Sequence, residues 1–193
     1  MNFDCMDKLV LELKVIDDQL AFFLVVNGKQ VLNEYNTNVS AFFSHYNVDA
    51  TMQKQVLGGG YYVESSFYPL SCSCGVAGCN DFHDGIYQKN KKYSVEWRVE
   101  PKFYANHLSK RYYSFPITNY RYEVLKCWFW IVDTFESLSY LNTDAEERLY
   151  KILTNIEESY PLQYAQLMAS RKEYEHYTRV NALFSDIRRR HSR

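Results

Sequence analysis

Residues 8–32 read KLVLELKVIDDQLAFFLVVNGKQVL. Leu9, Leu11 and Leu13 alternate with Val10, Glu12 and Lys14, a period of two that puts one apolar face on a β-strand. Asp17-Asp18 makes a turn, and Leu20–Val26 is a second β-rich run. Asn27-Gly28 then supplies the left-handed pair that a two-residue hairpin needs, with Lys29–Leu32 returning. The stretch predicts an antiparallel meander.

Downstream, Val39, Phe42, Phe43 and Tyr46 fall on one face of a short helix, with Asn38 placed to cap it. Gly58-Gly59-Gly60 breaks the chain and lacks the Lys-Ser/Thr of a phosphate loop. Strands are expected over 61–71, 84–90 and 93–99, separated by turns at Gly85 and at Lys-Asn-Lys-Lys, 89–92. Residues 102–120 are aromatic and read as irregular, with Pro116 set against a long helix.

From Tyr122 the period changes. Tyr122, Leu125, Trp128, Phe129, Val132 and Phe135 keep helical spacing, and Val124, Cys127 and Ile131 fill the opposite side. A helix over 122–141 that is apolar nearly all round belongs in the centre of a fold. Thr143-Asp-Ala-Glu146 forms a capping box for a helix whose inward face is Leu149, Ile152, Leu153 and Ile156. Pro161 opens a last helix striped with Tyr164, Leu167, Met168, Tyr174, Tyr177, Val180, Leu183, Phe184 and Ile187. Unbroken it runs about 40 Å, more than a small domain's diameter, so a bend or a projecting end is expected. Strands first and helices last argue for an α+β fold. The expectation is one domain over 1–193, mainly β to residue 100 and mainly α after it, with an antiparallel sheet against about three C-terminal helices.

Composition narrows the function. Of 193 residues 47% are hydrophobic and 23% charged, which suits a packed domain rather than a disordered chain. The formal net charge of -1 weighs against a protein held on nucleic acid by phosphate contacts. Charge is uneven: residues 1–70 hold four lysines against eight acids, whereas 161–193 hold seven Lys or Arg against three. The N-terminal MNFDCMDKLVLELK is not a signal peptide, and the longest apolar cluster, Cys127–Val132, is too short to span a bilayer. A cytoplasmic address without membrane insertion is expected, with the five cysteines as thiols or metal ligands.

Cys72-Ser-Cys74-Gly-Val-Ala-Gly-Cys79-Asn-Asp-Phe-His83 is the densest chemical cluster. Cys72, Cys74, Cys79 and His83 offer a Cys₃His set for Zn, with Gly75 and Gly78 letting the backbone curl round the ion. The spacing is not a double C-x₂-C, and the plainer reading is small, buried, inert thiols beside a tight glycine turn. A nucleophile at Cys74 or Cys79 needs a base held against it, and neither His83 nor His107 is placed by any known cysteine-protease signature. The run YPLSCSCGVAGC, followed by Val95-Glu-Trp97, resembles a family of small uncharacterised bacterial proteins that share a Leu-x-Cys-x-Cys-Gly-x-x-Gly-Cys turn. The resemblance covers about residues 61–99 and implies a bacterial or phage origin, without an activity or site residues.

Lys110–Tyr122, KRYYSFPITNYRY, interleaves cations with aromatics. Such a strip stacks unpaired bases, packs between layers, or anchors a protein partner. With Tyr 18 and Phe 12 in the chain, the expectation is a non-catalytic bacterial protein-binding protein. Its narrower form is an immunity protein that neutralises a cognate toxin by occluding it. The alternatives are a zinc-stabilised nucleic-acid-binding module and an enzyme with a Cys/His site. Partner contacts are expected at Tyr112, Tyr113, Tyr120, Arg121 and neighbouring Tyr122, or on the last helix around Arg171, Lys172, Glu173 and Glu175. Against a nuclease toxin, Asp17, Asp18, Glu34 and Asp49 of the acidic half are the better match.

Overall fold

The computed structural model describes residues 6–16, 19–31, 39–44, 65–67, 86–99, 108, 110–137 and 144–191. Strands β1 (Leu9–Ile16), β2 (Gln19–Val26) and β3 (Lys29–Gln30) form a three-stranded antiparallel sheet in that order. Leu9 faces Val26, Leu11 faces Leu24 and Leu13 faces Phe22, so the alternation seen in the sequence becomes one buried face. Asn27 (φ 52) and Gly28 (φ 79) both take the left-handed backbone a two-residue hairpin requires. The turn is also tied at its base: Asn27 N–H donates to the Lys8 carbonyl at 2.9 Å and Lys8 N–H donates to Asn27 Oδ1 at 2.9 Å. β3 is shorter than expected, and Val31 continues the pairing by donating to the Leu24 carbonyl at 2.8 Å.

Helix α1 (Val39–Ser44) buries Phe42 and Phe43. A second antiparallel sheet follows, β4 (Ser65–Phe67), β5 (Ile86–Asn90), β6 (Ser94–Val99) and β7 (Tyr112–Pro116), in chain order. Its inner face carries Ile86, Gln88, Val95, Trp97, Val99, Tyr113 and Phe115.

β7 corrects the expectation of an irregular 102–120. Tyr112–Pro116 pairs with Ser94–Arg98, and helix α2 (Ile117–Ser137) starts at the next residue, five before Tyr122. Pro116 sits at the junction, where its missing N–H breaks no helical bond. Two-sided apolarity of α2 is observed: Val124, Leu125, Cys127, Trp128, Phe129, Ile131 and Val132 are all buried. They meet β1 on one side and the later helices on the other.

Helices α3 (Asp144–Ser159), α4 (Pro161–Ala169) and α5 (Arg171–His191) follow, so the C-terminal helical layer has four members among the described residues, against about three expected. The long last helix is broken at Ser170, whose N–H donates to the Leu167 carbonyl at 3.1 Å and whose hydroxyl donates to the Gln166 carbonyl at 2.7 Å. An i→i−3 bond tightens the turn there and redirects the chain. α5 then runs back along α2. Arg171 donates to Asp133 at 3.0 Å, Tyr174 packs on Phe129 with centroids 5.2 Å apart, and Tyr177 packs on Tyr122 at 6.4 Å. Beyond Tyr177, Thr178, Arg179, Asn181, Ala182 and Leu183 are exposed, Leu183 to 64%. The architecture is α+β, with one apolar cluster that takes buried residues from both sheets and from α1 to α4, against which the partly buried Tyr174 of α5 packs. Among the described residues, no helix is long and apolar enough to cross a membrane.

Candidate binding surface

The second sheet has a core-facing side and a solvent-facing side, and the register decides what each displays. Tyr87 pairs with Arg98, and Arg98 with Tyr112, so these three side chains form a row across β5, β6 and β7 on the outer face. One step along, Lys89 pairs with Glu96 and Glu96 with Ser114. The Arg98 guanidinium lies 4.3 Å from the Tyr87 ring centroid, and that of Arg111 lies 5.6 Å from the Tyr112 ring. Tyr112 is 61% exposed. The row borders a depression of about 450 Å³, whose lining also includes Asp7 and Ser114.

The platform behind this face is stiffened by a buried polar knot. Gln88 Oε1 accepts from Trp97 Nε1 at 3.2 Å and from the Tyr120 hydroxyl at 2.8 Å. Burial pushes the Tyr120 phenol pKa far up, so it stays a neutral donor to Gln88. Trp97 packs edge-on to Phe115 at 4.7 Å. The Tyr113 hydroxyl accepts from Lys110 N–H at 2.9 Å, which fixes the chain entering β7.

Asp7 anchors the rim. It accepts from Asn27 Nδ2 at 2.8 Å, from Ser114 N–H at 2.9 Å and from the Lys110 ammonium. Burial raises its pKa and is the largest influence, but the bonds from Lys110, Asn27 and Ser114 and the Lys110 charge together lower it.

The aromatic strip read from sequence is thus divided. Tyr112 is presented to solvent, but Tyr113 and Tyr120 are each 3% exposed and belong to the core, because β7 alternates sides and Tyr120 sits on the inward face of α2. Neither presents a contact surface. Arg121 is half-buried, with its guanidinium 2.7 Å from Glu173. Arg171 is engaged with Asp133, and Glu173 also accepts from the Tyr177 hydroxyl at 2.8 Å, so two charges proposed for partner contact on the last helix tie α5 to α2 instead. Lys172 and Glu175 remain exposed.

Asp17 and Asp18, with Glu34 and Asp49, lie outside the described residues, as do Cys72, Cys74, Cys79 and His83. Among the described residues no group of three or more His, Cys, Asp or Glu gathers as a metal set. Cys127 is buried on α2, and burial drives its thiol pKa well up, away from the thiolate a nucleophile needs. A second depression of about 430 Å³ lies between β1 and α2, beside Leu13, Lys126 and Trp130.

Tyr87 and Arg98 were missed in sequence. The alternation of IYQKN and SVEWRV does turn Tyr87 and Arg98 away from the buried Gln88 and Trp97, but only the cross-strand register brings them beside Tyr112. Comparison with protein-family models, with curated proteins and with solved structures finds no match.

Proposed function

We propose that this protein works stoichiometrically, by binding a protein partner on the outer face of the second sheet. Its narrower form is a cytoplasmic immunity protein that occludes a cognate toxin. The observation that carries the reading is the row Tyr87, Arg98, Tyr112, with Tyr112 61% exposed on a sheet whose other side is packed. Tyr and Arg are the residues that most often anchor protein interfaces, since each combines a large flat contact with a polar tip. A rigid sheet lowers the ordering cost of binding, and the Gln88–Trp97–Tyr120 knot holds this one from behind.

The test pairs protection with complex formation. Co-expression with the product of a neighbouring toxin gene should rescue growth. The two chains should co-purify one-to-one with a dissociation constant in the nanomolar range, about -12 kcal/mol. Tyr112→Ala should weaken the complex about tenfold or more without changing the near-UV spectrum, because the side chain it removes supports no core contact. A complex indifferent to Tyr112→Ala and to Arg98→Gln moves the contact off this face.

A further inference from the structure

We draw no further inference here: the strongest candidate, the depression between β1 and α2 beside Leu13, Cys127 and Trp130, has its rim charges already paired, Glu12 with Lys14 and Lys126 with Glu123, and nothing in the structure shows what fills it.

Discussion

Asp7 joins the two sheets through one side chain. Its backbone N–H donates to the Ser114 carbonyl at 2.9 Å and its carboxylate takes the Ser114 N–H back, so the start of β1 extends the edge of β7. Further along β1, Leu9 N–H donates to Asn119 at 3.3 Å and Leu11 N–H to the buried Glu123 at 2.9 Å. Side chains of α2 thus cover an edge that would otherwise leave backbone donors bare. The pKa of Asp7 is lowered in the fold, so as pH falls the unfolded chain takes its proton first. Its contribution is complete above the ordinary carboxylate range of about 4 and is lost as pH drops through the folded value. Asp7→Asn should cost about 1–3 kcal/mol at neutral pH and make the acid limb of the stability profile shallower. Denaturation curves from neutral pH down to about pH 3 check it, and a profile parallel to the parent's would show that the charge is not used. Glu123→Leu tests the edge in the same way. It leaves Leu11 N–H buried without an acceptor and should cost about 1–3 kcal/mol, whereas Glu123→Gln keeps an acceptor and should cost less.

Helix α2 touches β1, β6, β7 and the later helices, and its Trp128 lies fully buried between Phe43 at 5.0 Å and Tyr164 at 5.8 Å. Trp128→Ala should cost about 3–5 kcal/mol. Among the described residues the buried indole nitrogen of Trp128 has no hydrogen-bond partner, so Trp128→Phe removes an unmet donor along with volume and should cost markedly less. Equal losses for the two variants in urea titrations would mean that the ring's size alone matters. This helix was legible in the sequence because its signal is local: consecutive apolar residues fill every side of one helical period. The β1–β2 hairpin was legible for the same reason, since Asn27-Gly28 and the alternation at Leu9–Leu13 need no distant partner. β7 was not legible. Tyr112-Tyr-Ser-Phe115 is aromatic on both faces, so no apolar–polar alternation marks it, and only pairing with Ser94–Arg98 makes it a strand. The break at Ser170 was expected only as a bend somewhere, for no Pro or Gly marks it and the cause is a side-chain bond to Gln166. The same limit applies to the binding row: its residue types could be read, but their adjacency is a matter of register.

At the scale of the molecule, the arrangement predicts one cooperative unit. Two small sheets share no strand, yet both pack on α2, and the apolar cluster draws from each without a gap. Asp7 and Ser114 add a direct backbone link between them. Past Tyr177, by contrast, Thr178, Arg179, Asn181, Ala182 and Leu183 are exposed, so Leu183→Ala should leave the free energy of unfolding within about 1 kcal/mol of the parent's. The main body is testable through its tryptophans. Trp97 reports the inner face of the second sheet, and Trp128 and Trp130 report α2. In a Trp128→Phe, Trp130→Phe background the remaining Trp97 fluorescence follows that sheet alone, while far-UV circular dichroism is dominated by the helices. If the sheets and helices depend on one core, the two signals must share one urea midpoint and one slope, because neither layer keeps its buried face without the other. A sheet signal lost before the helical one would instead make β4–β7 a separate unit resting on α2. It would also undercut the proposed binding surface, whose row of Tyr87, Arg98 and Tyr112 needs the second sheet held rigid from behind.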